Sequence, residues 1–113
     1  MLTNYYLPDR DVAVIVRVGV AYGSDLDRVE KVTCEVARQI LKTVPGAVPG
    51  FEPIVRFFGF GDSSIDFNVV LMAGEFMDQH LLKHEFVKAL YARYRTEKIG
   101  IPFPTRTVEM ITR

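Results

Sequence analysis

Val12, Val14, Val16, Val18 and Val20 put a β-branched residue at every second position, with Ala13, Ile15, Arg17 and Gly19 between them. A period of two specifies a strand, because successive side chains leave opposite faces of a pleated backbone. Both sets are largely apolar, so the pattern predicts a central or two-sided covered strand. Tyr22-Gly23 ends the run. Ser24 is a suitable helix N-cap, and Asp27 three residues on makes an acidic variant of the capping box. Asp25 and Asp27 also sit at the positive end of the coming helix dipole. From there the period changes: Leu26, Val29, Val32, Val36, Ile40 and Val44 recur at three and four, one buried stripe of a helix. Pro45-Gly46 stops it, and the chain through Gly50 is a loop.

The same alternation of periods then repeats. Residues 53–60 read as a strand and 65–72 as its hairpin partner, with Ile65, Phe67, Val69 and Leu71 on one face and Asp66 and Asn68 on the other. The turn between them is Gly61-Asp62-Ser63-Ser64, where glycine accepts unusual backbone angles and Asp and Ser bond neighbouring backbone. Gly74 breaks the second strand. Asp78 is placed to cap a second helix running to about Lys98, with Leu82, Phe86, Leu90 and Tyr94 aligned at i, i+4. Gly100 is the expected helix terminator, Pro102 and Pro104 force extended backbone, and residues 105–111 are β-branched enough for a last strand. The order is βαββαβ, which predicts an α+β ferredoxin-like split sandwich: one antiparallel sheet with two helices on one face. Residues 1–10 do not continue the valine alternation and stand apart from a single domain over 11–113.

A chain of 113 residues is long enough to bury a core without staples, and 49% apolar with 25% charged residues is ordinary for a globular fold. Fourteen Lys and Arg balance fourteen Asp and Glu, so the totals imply no basic face and nucleic acid is not an expected partner. The lone Cys34 excludes an internal disulfide and a CxxC site. It falls within a helical pattern and reads as a small buried thiol. The longest apolar stretch, 12–22, is interrupted by Arg17, so nothing here spans a bilayer.

Residues with chemical potential have simpler readings. His80 and His84 share a helix face four residues apart, but Glu85 follows the second histidine rather than the first, and two ligands are too few for tight zinc. No metal and no cofactor are therefore expected. Gly59-Phe60-Gly61 precedes strand-like sequence, which is the wrong context for a phosphate loop. Ser24, Ser63 and Ser64 lie outside any G-x-S-x-G elbow. Asp62 and Asp66 flank a bend, where surface turn residues are commoner than paired catalytic carboxylates. Phe57, Phe58, Phe60 and Phe67 suggest a base-stacking platform, yet the accompanying basic signature is missing. Alternation assigns Phe57 and Phe67 to the core with Val55 and Ile65. Ile15, Phe58, Phe60, Val70 and Met72 fall on the opposite parity, the sheet face that two helices leave open. Apolar residues there predict an interface with another chain or domain.

Three segments, Val18-Gly-Val-Ala-Tyr-Gly-Ser-Asp-Leu26, Phe58-Gly-Phe-Gly-Asp-Ser-Ser-Ile-Asp-Phe67 and Ile99-Gly-Ile-Pro-Phe-Pro-Thr-Arg-Thr-Val108, stand in this order. Together they resemble the C-terminal cytoplasmic domain of the small-conductance mechanosensitive channel (MscS) family, over residues 16–110. Gly61, Asp62, Ser63 and Ser64 match the family's hairpin turn, Pro102, Phe103 and Pro104 the start of its last strand, and Asp25 and Leu26 its acidic helix start. The resemblance implies a non-enzymatic, tension-gated ion and osmolyte channel, homo-oligomeric and typically heptameric. Its cytoplasmic domains form a hollow cage, whose lower wall domains like this one supply. Residues 3–8 would then end a preceding β domain, and the membrane part would lie upstream of Met1. Glu75-Phe-Met-Asp78, His84 and Tyr91 depart from the family pattern.

Two other readings of this topology stay open on the sequence. A free-standing acylphosphatase-like hydrolase would use Arg17 and Asn68, but its anion cradle is replaced by a capped helix start bearing Asp25 and Asp27. The other is a free-standing small-molecule-binding regulatory domain.

Overall fold

The structure, a computed structural model, describes residues 11–102. They form β1 (Val12–Ala21), α1 (Leu26–Thr43), β2 (Ile54–Phe60), β3 (Ser64–Ala73) and α2 (Asp78–Glu97). The three described strands make one antiparallel sheet in the order β1-β3-β2, so β3 is central among them. Two helices accompany this sheet, the α+β arrangement that the change of period from two to 3.6 and back implies. The last expected strand, residues 105–111, and the segment 1–10 lie outside the described residues. Among the described strands β1 is an edge; the expectation of a central or two-sided covered strand rests on the apolar character of both its faces. No helix of the described residues is long and apolar enough to cross a membrane.

The core lies between the sheet and the helices. Val14, Val16 and Val20 from β1, Val55 from β2, and Phe67, Val69 and Leu71 from β3 are buried. They meet Val29, Val32, Val36, Ile40 and Leu41 of α1 and Leu82, Phe86, Leu90 and Tyr94 of α2. Each of the seven strand residues follows the parity of two, and α2 buries the four positions of its i, i+4 stripe. Phe57 packs on Phe67 with ring centroids 4.8 Å apart on this covered side. Thr33 and Tyr94 are also buried, and their hydroxyls bond one another across the two helices. Burial pushes the Tyr94 phenol up to about 12 despite that bond.

The element ends differ from the simplest sequence reading. Asp25, not Ser24, caps α1: its Oδ1 accepts from the Arg28 amide at 3.3 Å. Ser24 instead donates its hydroxyl back to the Ala21 carbonyl at 2.6 Å, closing the turn out of β1. Asp78 is the first residue of α2 and Met77 its cap, with no side-chain bond. At the other end Lys98, not Gly100, takes the left-handed conformation (φ 62°). Its amide bonds the Arg95 carbonyl while the Ile99 amide bonds that of Tyr94, a Schellman closure that turns Ile99 into the core. Gly100 then hands its carbonyl to the Ala21 amide at 3.0 Å, beside the end of β1.

Candidate interaction face

The face of the sheet away from the core is organised in rows that run across the strands. Cα register aligns Ile15 with Val70 and Val70 with Ile54, an apolar row. The next row is Arg17, Asn68 and Arg56, and the third is Gly19, Asp66 and Gly59. Met72 extends the apolar end of the face opposite Ala13. Ile15 is 58% exposed and Phe58 52% exposed, while Val70 and Met72 are half-buried. Ile54 and Arg56 belong to this face as well; their alternation with the buried Pro53 and Val55 was the signal that identifies them.

A bulge alters the remaining member of the sequence-derived set. Phe57 pairs with Phe67 and Gly59 with Asp66, so Phe58 is the extra residue on β2. Strict alternation puts Phe60 on the open face. The inserted residue instead brings Phe60 into register with Ile65, the parity of the covered side, at the very end of the sheet. There it is 79% exposed and stacks on Tyr22 at 6.3 Å between centroids. Phe58 keeps the open side, under the guanidinium of Arg17 at 5.3 Å from its ring centroid.

The turn is tied to this face through Asp66. An acid at solvent parity reads as exposed, yet Asp66 is only 8% exposed. Ser64 Oγ donates to its Oδ1 at 2.6 Å and Arg17 Nη2 to its Oδ2 at 3.2 Å. The Ser64 bond first, and then Arg17, hold the carboxyl below the usual aspartate range, against the opposing effect of burial. Two glycines make room for the arrangement. A Cβ on Gly19 would stand 2.9 Å from Asp66 Oδ1, and one on Gly61 would stand 2.8 Å from Ser64 Oγ. Tyr22 closes the end by donating its hydroxyl to the Gly61 carbonyl at 2.7 Å, and the Gly61 amide bonds the Ser64 carbonyl at 2.6 Å. Gly61 and Ser64 of the predicted turn are thus joined in one network with Arg17, Tyr22 and Asp66. Asp62 is exposed and Ser63 half-buried beyond it. Pro102 is the last described residue; Phe103 and Pro104 lie outside the described residues.

The other candidate groups are scattered. His84 Nε2 stands 4.0 Å from Glu85, and His80 lies edge-on to Phe76. Among the described residues no group of three or more His, Cys, Asp or Glu could hold a metal ion. Arg17 and Asn68 do face one another in register, and the Arg17 guanidinium contacts the chain's own Asp66 at 3.2 Å. Cys34 is half-buried on α1, and burial raises its thiol pKa. A cavity of about 220 Å³ opens along β1 and α2 between Val16, Val18, Val87, Leu90, Tyr91 and Ile101. Among the described residues the open face therefore presents apolar side chains beside the guanidinium groups of Arg17 and Arg56.

Residues 14–101 match the family described as "Mechanosensitive ion channel MscS, C-terminal". The chain is 35% identical over 78 residues to the mechanosensitive channel MscK of Escherichia coli (strain K12); the match takes in 69% of this chain and 7% of that protein. The fold also superposes on the crystal structure of Helicobacter pylori MscS in its closed state, with a TM-score of 0.68 and 22% identity. That superposition covers 85% of this chain and 36% of the solved one, so the chain spans a small part of MscK and about a third of the H. pylori protein.

Proposed function

The chain belongs to the MscS family of mechanosensitive ion channels, as the match over residues 14–101 shows, and on that premise we propose that it is a cage-forming cytoplasmic domain of a tension-gated channel. In this reading it acts without catalysis, assembles with copies of itself, in a heptamer by family resemblance, and borders the path that ions and osmolytes take. The membrane it serves is an inner or plasma membrane, reached through another part of the channel. The observation that carries the reading is the open sheet face. A stand-alone split sandwich would wet this face, yet it presents Ile15, Ile54 and Phe58 to solvent beside half-buried Val70 and Met72. Phe60 adds to the exposed apolar surface at the hairpin end.

Such residues contribute to assembly rather than to the fold, because their side chains are absent from the core. The test is release of small osmolytes from cells on hypo-osmotic shock, through the channel that carries this domain, with the domain intact or bearing Phe58→Ser and Val70→Asp. The reading expects impaired release at unchanged stability of the domain. Normal release and normal assembly in the double variant would refute it.

A further inference from the structure

The ends of β1 and α2 are closed together by the residues that follow the second helix. The Ile99 amide bonds the Tyr94 carbonyl, and the Ala21 amide bonds the Gly100 carbonyl. Both elements run toward this closure, so lower residue numbers on each lie further from it. Ile101 lines the cavity of about 220 Å³ between β1 and α2, together with Val16, Val18, Val87 and Leu90. Pro102 lies on the other side of the β1 edge, beside Gly19, Ser64 and Asp66. Successive side chains thus fall on opposite sides of the sheet, as in an extended chain turning back along β1.

The sequence constrains what comes next. Pro102 keeps Ile101 out of the helical region, and Pro104 does the same for Phe103, so the extended course continues. Alternation returns Phe103 to the side of Ile101, about 7 Å further along the groove, toward Val16 and Val87. Val87 is 47% exposed there and Tyr91 55% exposed, both outside the buried stripe of α2. A cavity of roughly 150 Å³ admits a benzene ring, so the space suffices for a phenyl group. A backbone ladder is a poor alternative anchor. In the antiparallel register set by Gly100 on Ala21, positions 102 and 104 are those whose amides donate to β1, and both are proline.

We propose that Phe103 inserts its ring between Val16, Val87 and Tyr91 of its own chain, and so anchors the segment that leaves the domain. Side-chain burial then fixes an exit that the two prolines keep backbone bonds from fixing. The contact lies on the covered side of the sheet and is independent of the open face.

The chain contains no tryptophan, so Phe103→Trp introduces a single fluorescent reporter at the anchor. Its emission is expected to be blue-shifted from that of free tryptophan and shielded from iodide quenching. Adding Val87→Asp should return both to the values of a solvated indole. Adding Leu81→Asp, at a comparably exposed apolar residue of α2 outside the groove, should change neither. Each chain is checked for the parent circular dichroism spectrum. Independently, in a Cys34→Ser background, Val87→Cys with Phe103→Cys should close an intrachain disulfide on mild oxidation, and Leu81→Cys with Phe103→Cys should not. Solvated emission from Phe103→Trp with no Val87→Cys cross-link would overturn the proposal. A blue shift that survives Val87→Asp would place the ring elsewhere and overturn it too. A blue shift lost on dilution, with the disulfide forming between chains, would overturn it in favour of the groove of a second copy.

Discussion

Replacing Asp66 by Asn preserves shape and removes one charge, which isolates what the carboxylate contributes to the hairpin end. In the native chain one oxygen accepts from Ser64 at 2.6 Å and the other from Arg17 at 3.2 Å. A hydrogen bond to a charged, largely buried group contributes about 1.5–3 kcal/mol. The Arg17 side chain is 71% exposed, so its share is screened to about 0.5 kcal/mol. Asn retains a bond from Ser64 through its carbonyl oxygen but turns an amide donor toward Arg17. The expected loss is therefore about 2 kcal/mol. At a urea m-value of about 1.5 kcal/mol/M that is a fall of about 1.3 M in midpoint near neutral pH.

The pH dependence follows from the direction of the shift. The Asp66 pKa is lower in the folded chain than the ordinary 3.8, so its stabilisation is complete above that value and is lost as pH falls through the folded pKa. The midpoints of native and Asp66→Asn chains should stay a constant distance apart from about pH 7 to about pH 5 and converge as the pH falls below 3.8 and through the lower folded pKa. A gap below about 0.5 kcal/mol near neutrality, or one that persists undiminished in acid, would refute the reasoning.

Three further outcomes are expected. Tyr94→Phe leaves the buried Thr33 hydroxyl without its partner and should cost about 1–2 kcal/mol, while adding Thr33→Val should recover much of the loss; a double variant worse than the sum of the singles in thermal unfolding would contradict the contact. Since the Tyr94 pKa rises from 10.0 to about 12 on folding, its contribution is present below pH 10 and declines as pH climbs through about 12. The Tyr94→Phe chain should show a correspondingly shallower alkaline loss of stability. Gly61→Ala puts a methyl 2.8 Å from Ser64 Oγ and should destabilise by about 1–3 kcal/mol in urea unfolding, whereas Gly59→Ala, with open space at its Cβ, should cost less.

Much of the architecture is legible in spacing alone. The stripe Leu82, Phe86, Leu90 and Tyr94 and the alternation Phe67, Val69, Leu71 are buried as their periods require. Local signals fail where two neighbouring residues can do one job. Ser24 and Asp25 are both good caps, and only the turn that draws the Ser24 hydroxyl to Ala21 decides between them. Gly100 looks like the helix stop, but burying Ile99 requires the chain to reverse two residues earlier, at Lys98.

The open face is legible in outline for Ile15, Phe58, Val70 and Met72, because parity is a property of each strand alone. The position of Phe60 is not, since a bulge inserts one residue without a mark in the period of two. Nor is the burial of Asp66, whose partner Arg17 is 49 residues away in sequence. Cross-strand rows such as Arg17, Asn68 and Arg56 depend on register, which hydrophobic alternation fixes only to within an even number of residues.

The central claim, that the open sheet face is covered by a neighbouring subunit in the channel, is tested most directly by thiol labelling of Ile15→Cys in a Cys34→Ser background. The rate of maleimide modification is compared between the isolated chain and the assembled channel in membranes. Ile15 is 58% exposed in the single chain, so labelling there should be fast, and assembly should slow it by about tenfold or more. Equal rates in the two preparations would mean that the face stays open to water and would contradict the account.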